Sequence, residues 1–281
     1  MLVQLVFGFL IAVAIFVPLE RVFALRPDQK VLHHGWRSDV VHFVVTNPLK
    51  KGLVIVALAV PFVILRATAG SLTGPLVTAQ PWWLEMLEAI ALADVFAYWG
   101  HRFAHTVPFL WRFHRVHHSI EDMDWLAASR VHPLDGVFTS FVAVLPLVAL
   151  GFSAASFGAY LVVIPIQALL IHSNIKWRFG PLEWVTGTPR WHHWHHAAEP
   201  AACDKNFAAL LPAVDVVFGT AFMPKDRWPA AYGLGAGAAP VPGGWWRQML
   251  HPFRPAQHAL DAPPAPPSDA GAIEEPPLVP A

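Results

Sequence analysis

The sequence predicts an all-α integral membrane protein: a bundle of about four to five membrane helices with a histidine-rich, metal-binding cap on the cytosolic side. Three observations carry that expectation. Hydrophobic residues make up 55% of the 281-residue chain and charged ones only 14%, against about a quarter charged in an ordinary soluble domain. The apolar residues gather in stretches of the length needed to cross a bilayer. The 16 histidines are clustered, and the charge pattern places all of them on one side.

Residues 2–19 form the first apolar stretch, ending at Pro18 and followed by Glu20-Arg21. No basic residue precedes it and no small-residue cleavage site is clear, so it reads as a retained membrane helix. The second stretch, 52–65, contains Pro61. The third, 82–99, is apolar but carries Glu85, Glu88 and Asp94. Residues 137–150 and 154–171 form an apolar pair broken at Gly151-Phe152-Ser153. The first of that pair falls short of the roughly 20 residues of a full span and reads as half of a tight hairpin.

The positive-inside rule tests this layout. The connection 20–51 holds Arg21, Arg26, Lys30, Arg37, Lys50 and Lys51, whereas 67–81 holds no Lys or Arg. Residues 100–135 carry Arg102, Arg112, Arg115 and Arg130. Alternating the stretches across the bilayer puts every basic residue except Arg66 on the inner side. Three units follow: 1–81, N-terminal membrane helices and an inner loop; 82–254, the catalytic domain; and 255–281, a tail so rich in Pro and Ala that disorder is expected.

Composition also excludes. With 19 basic and 19 acidic residues and no polybasic block, nucleic acid is not an expected partner. A single cysteine, Cys203, precludes an intrachain disulfide and a Cys-ligated zinc or iron–sulfur site.

Three histidine boxes carry the chemistry: His101-Arg-Phe-Ala-His105, His114-Arg-Val-His117-His118 and His192-His-Trp-His195-His196. Separations of three and four put imidazoles on one helical face, where two converge on one ion. The adjacent pairs His117-His118 and His195-His196 diverge enough to reach two ions, so the eight imidazoles suit a dinuclear centre. Imidazole binds iron, zinc, copper and nickel alike, and spacing alone leaves the metal open. His33, His34, His42, His251 and His258 read as surface or interfacial residues. Asp94 lies two turns before His101, and an ionisable group in an apolar helix is a functional candidate. A carboxylate there, or Asp204, Asn174 or Asn206, would orient the ligands from behind; for Asp215, a structural role at the Phe218-Gly219 turn is an equal reading. Trp99, Phe103, Trp111, Trp191 and Trp194 read mostly as interfacial anchors.

The run Asp94-(x)3-Tyr98-Trp-x-His101-Arg-x-x-His105, then Leu110-Trp-x-x-His114-x-x-His117-His118-Ser119, resembles the fatty acid hydroxylase/sterol desaturase superfamily. So do Arg130-x-His132-Pro, His172-Ser-Asn174, the third box, Asp204-x-Asn206-Phe and Asp215-x-x-Phe-Gly219-Thr220. The resemblance covers about residues 85–222. It implies a helical membrane fold, two iron ions in a cytosolic cap (zinc being possible in isolated protein), and hydroxylation or desaturation of a lipid with dioxygen. By position it implies His101, His105, His114, His117, His118, His192, His195 and His196 as ligands, with His172 completing the set and no catalytic residue beyond the ligands. It leaves His132 as a further position behind them, and His193 falls at a variable position of the third box.

Electrons must come from elsewhere, because the sequence has neither a dinucleotide glycine fingerprint nor a haem module. A separate electron-carrier protein is therefore expected, docking against Arg112, Arg115, Arg178 or Arg190. Two other classes fit the pattern less well. A histidine-rich membrane metal-binding protein or transporter would need ionisable residues along a path through the bilayer. A zinc hydrolase would pair its histidines with a glutamate, as in HExxH, and that motif is lacking.

Overall fold

The computed structural model describes residues 2–254, and every regular element among them is helical. The expected disordered tail, with His258, lies outside the described residues. The α-helices are α1 (Leu2–Val22), α2 (Trp36–Val41), α3 (Asn47–Ala67), α4 (Ala69–Thr78), α5 (Trp82–Thr106), α6 (Pro108–His118), α7 (Pro133–Leu150), α8 (Ala154–His172), α9 (Pro189–His195), α10 (Ala213–Val217) and α11 (Trp245–Leu250).

Among the described residues four helices are long and apolar enough to cross a membrane: 3–22, 36–65, 133–150 and 154–172. The second joins α2 to α3 through one π-helical turn, His42–Thr46, so it begins well inside the stretch expected to be a loop. The side chains on these helices face outward in a way water would penalise. Val3, Phe7, Ile55, Val56, Val63 and Ile166 are all largely exposed, which is the pattern of a lipid-facing surface. Pro18, Pro61, Pro146 and Pro165 lie inside helices, as membrane helices tolerate.

α5 is the axis of the bundle and differs from the others. Its Glu85, Glu88 and Asp94 keep it outside the apolar set, yet its 25 residues give a helix about 37 Å long. A hydrocarbon layer is only about 30 Å thick, so α5 is longer than a perpendicular crossing requires. Ala89 and Ala93 let α7 approach closely, and Ala143, Val144, Leu147 and Val148 fill the contact. Phe152 of the α7–α8 turn and Tyr160 of α8 close the same cluster. At the far end the expected loop 67–81 is mostly helix α4. Its Thr73 hydroxyl donates to the Leu150 carbonyl at 2.6 Å. Gly151 ends α7 at φ 81°, a left-handed cap that favours glycine.

The near end gathers the C-termini of α1, α5 and α8 with the N-terminus of α7. Pro108 starts α6 one residue after α5 stops, and Pro133 starts α7, each at a helical first turn that has no need of the missing N–H. All three histidine boxes lie at this end.

Candidate metal centre

Nine histidines form two groups. His101, His105, His114, His118 and His195 make one, and His117, His172, His192 and His196 the other, with the nearest ring nitrogens of each group within 4.8 Å of one another. The adjacent pairs divide as their divergence requires: His117 from His118, His196 from His195. Every i,i+4 pair stays together and every i,i+3 pair is split. Four residues advance an α-helix by about 40° of azimuth, three by about 60° the other way; the tighter pair shares an ion.

The hydrogen bonds fix which nitrogen each ring presents. A carbonyl oxygen only accepts, so an Nδ1 bonded to one must carry the hydrogen, and a neutral ring then has its lone pair on Nε2. The Nδ1–H of His101 donates to the Phe207 carbonyl at 2.7 Å, and that of His114 to the Asp135 carboxylate at 3.0 Å. Their Nε2 atoms nevertheless lie 3.1 Å apart. In the second group, the Nδ1–H of His117 donates to the Arg130 carbonyl at 3.1 Å and that of His172 to the Ala168 carbonyl at 2.7 Å. Their Nε2 atoms are 3.2 Å apart. Two lone pairs at such distances repel, and a cation between them removes the conflict. Ions held at 2.0–2.1 Å by imidazole place neighbouring nitrogens about 3.0–3.4 Å apart. The donor set therefore fits a pair of metal ions. Nε2 of His105 and of His195 are likewise buried without a hydrogen-bond partner among the described residues.

Burial favours the neutral form of several of these rings, as ligation requires. It pushes His117, His118, His192, His195 and His196 well below the ordinary value of 6.5, and the neighbouring imidazoles push them further.

One strip of chain, 204–207, stands behind three of the first group. The Asp204 carboxylate accepts from His105 at 3.2 Å, the Lys205 carbonyl from His195 at 2.8 Å, and the Phe207 carbonyl from His101. To present these groups in succession the strip takes left-handed backbone at Asp204 (φ 55°) and Asn206 (φ 58°), where Asp and Asn are the best tolerated non-glycine residues. Asn206 pins it by donating to the Trp191 and Phe222 carbonyls at 3.0 and 2.7 Å. Asp215 accepts the Phe207 and Ala208 N–H groups, each at 2.8 Å. Asp94, expected behind a histidine, instead accepts the N–H groups of Leu210 (3.2 Å) and Leu211 (2.8 Å). It thus anchors the chain that continues the strip. Gln167 of α8 donates to the Gly187 and Ala209 carbonyls at 2.8 and 3.0 Å, satisfying irregular backbone beside the bundle.

Other expected positions fall elsewhere. His132 caps α7 by accepting from the Leu134 N–H at 3.2 Å, and its other nitrogen meets the Met249 carbonyl. Both His193 nitrogens are also used, by the Tyr232 hydroxyl (2.7 Å) and the Ser173 carbonyl (3.1 Å). Asn174 pairs with the backbone of Arg26 in both directions. His33, His42 and His251 are buried rather than superficial; His33 lies against Asp124 and His42 bonds Gln248. Trp111, Trp191 and Trp194 are buried rather than anchors at a surface: Trp111 packs on His105, His114 and His118, Trp191 on Trp184 and Trp194 on Phe222. Of the arginines expected to receive a carrier, Arg115 and Arg190 are buried, Arg190 against Glu183 at 2.8 Å. Arg178 is exposed and paired with Asp226 at 3.0 Å.

Sequence reasoning missed Asp135. It follows Pro133 in the first turn of α7, where an acidic residue reads as complementing the helix dipole.

Residues 86–220 match the family model for fatty acid hydroxylase. The chain is 28% identical over 252 residues to an ornithine lipid hydroxylase of Rhizobium tropici, covering 87% of this chain and 74% of that protein. It is 35% identical over 157 residues to an alkylglycerol monooxygenase of Danio rerio, 56% of this chain but 33% of the relative. A putative methylsterol monooxygenase of Dictyostelium discoideum is 22% identical over 216 residues, 74% of this chain and 76% of that protein. The chain thus spans only about a third of the alkylglycerol enzyme. No solved structure matches it.

Proposed function

Through residues 86–220 the chain is a member of the fatty acid hydroxylase family, oxygen-dependent oxidoreductases of lipids, and from that premise we propose that it is a membrane-bound non-haem di-iron monooxygenase hydroxylating a lipid C–H bond. In the balanced reaction one atom of dioxygen enters the C–H bond and the other leaves as water. Two electrons and two protons complete it, the electrons from a separate carrier protein. The named relatives, all hydroxylases or monooxygenases, favour hydroxylation over desaturation.

The observation that carries the proposal is the convergence of Nε2 lone pairs in two adjoining groups. Iron held there would supply dioxygen reduction and C–H oxidation. The five-histidine group would hold one ion and the four-histidine group the other. This chain's own part is to orient six of the nine imidazoles from behind and to cover the His105, His114 and His118 rings with Trp111. We take residues 82–254 as the catalytic unit, with the ligands at the cytosolic face, a side supported by the basic residues of 20–51 and 100–135.

The test compares lipids from cells producing the intact protein or its His117→Ala variant, by mass spectrometry. A product heavier by one oxygen, present only with the intact protein, is expected. A product lighter by two hydrogens would make it a desaturase. Two irons per chain are expected after anaerobic purification, and zinc with ester cleavage would overturn the reading.

A further inference from the structure

The two histidine groups are braced by different parts of the chain, and the brace of the four-histidine group lies outside the fatty acid hydroxylase match. We infer that the connector 20–39 is a strap that positions the four-histidine group, with Asp39 its principal positioning residue. The inference rests on the two-metal reading above.

Three sets of contacts make the strap. At its start, the Glu20 carboxylate accepts the backbone N–H of Asn174 at 3.0 Å and of Trp125 at 2.8 Å. Residues 23–25 then run antiparallel to 174–176: Leu25 N–H donates to the Asn174 carbonyl at 3.1 Å, and Lys176 N–H to the Phe23 carbonyl at 2.9 Å. This fixes the chain immediately after His172, a member of the four-histidine group.

At its end, Asp39 is fully buried and grips Arg130 through two bonds, from Nε at 2.6 Å and Nη2 at 2.7 Å. Arg130 Nη1 donates to the Ser119 carbonyl at 3.2 Å, just beyond the second box. The Arg130 carbonyl is the acceptor that orients His117. The planar fork leaves Arg130 one orientation, and so sets where that carbonyl stands. Between the two ends, His33 lies 3.1 Å from Asp124, whose other oxygen accepts the Ala127 N–H at 2.7 Å and shapes the turn leading to Arg130. Gly35 has φ 99°, and a Cβ there would come within 2.9 Å of Arg130 Nη2; a glycine is what lets the strap lie this close.

None of these contacts reaches the strip 204–207 behind the five-histidine group. The strap therefore bears on the four-histidine ion, its one approach to the other group being through Arg130 to the Ser119 carbonyl beside His118, which backs none of the rings, and chain outside 82–254 helps to shape the centre.

The experiment loads full-length protein in detergent with ferrous iron under anaerobic conditions and measures bound iron per chain. Three proteins are compared, each with and without Asp39→Asn: wild type, His105→Ala (first group broken) and His192→Ala (second group broken). Asp39→Asn alone is expected to lose one of two irons. It should remove the remaining iron from His105→Ala and change nothing in His192→Ala. Asp39→Glu, which restores the charge opposite Arg130, should recover part of the lost iron. Loss of iron in the His192→Ala background, retention of both irons in Asp39→Asn, or a chain that no longer folds would each overturn the strap's local role. Wild type that binds fewer than two irons, unaffected by either histidine change, would overturn the two-metal reading instead.

Discussion

The five-histidine and four-histidine groups use one residue type, in places adjacent residues, yet they differ in what stands behind the rings. In the first, two rings are backed by carboxylates, His105 by Asp204 and His114 by Asp135, and two by carbonyls. In the second, two rings are backed by carbonyls, while Nδ1 of His192 and of His196 are buried with no protein partner among the described residues. A carboxylate behind an imidazole fixes its tautomer and raises its basicity. Membership of a group is thus written in helical spacing, and the stiffness and charge of the group in the chain around it. The first group is expected to hold its ion more tightly.

The largest effects should come from adjacent ligands that serve different groups. His195→Ala and His196→Ala should each abolish lipid hydroxylation, and each should lose one iron. Timed chelation distinguishes them: the iron left in His196→Ala, held by five rings of which four are backed, should leave more slowly than the one left in His195→Ala. Equal rates would erase the proposed difference between the groups.

Removing a backing carboxylate comes next. Asp135→Asn keeps the size of the side chain but makes it a poorer partner for the His114 Nδ1–H. Iron affinity of the first group should fall about 10–100-fold, measured by competition with a chelator, while the second group keeps its iron. Asp204→Asn should do the same to a smaller degree, because its contact with His105 is the longer of the two, 3.2 against 3.0 Å.

Acid tests the groups together. Burial first, and neighbouring imidazoles second, hold His117, His118, His192, His195 and His196 far below 6.5 in the folded protein. In the unfolded chain the same rings titrate near about 6.5 and bind more protons at lower pH. Their contribution to stability is therefore fully present above that value and lost as pH falls below it. The melting temperature of metal-free protein should be flat above about pH 7 and drop steadily toward about pH 5. An unchanged midpoint would mean that the rings are not buried.

These contrasts also mark how far the sequence could be read. The membrane helices and the convergence of the boxes follow from apolar length and from spacings of three and four, which are local properties. What backs the rings is mostly main chain: Phe207, Lys205, Arg130 and Ala168 contribute carbonyls, and a carbonyl has no signature in a sequence. Asp94 was visible as a costly ion, but its partners are backbone N–H groups 116 and 117 residues away. Asp135 was hidden by its position, since the first turn of a helix already welcomes an acid. His33 and Asp39 were unreadable for another reason: their partners Asp124 and Arg130 become neighbours only when the connector folds back over the second box.

The smallest effect should come from a family-motif histidine, His132, that belongs to neither group. One His132 nitrogen accepts from Leu134, so the other carries the hydrogen and meets the Met249 carbonyl; no lone pair remains for an ion. Asparagine is among the best helix-capping residues, so His132→Asn keeps the cap and gives up only the bond to Met249. That should cost about 1 kcal/mol of stability and leave both irons in place. A titration of iron against the variant checks it directly. If His132→Asn lost an iron, the ring would have to turn from its cap to bind, and the division into five and four would need a tenth member.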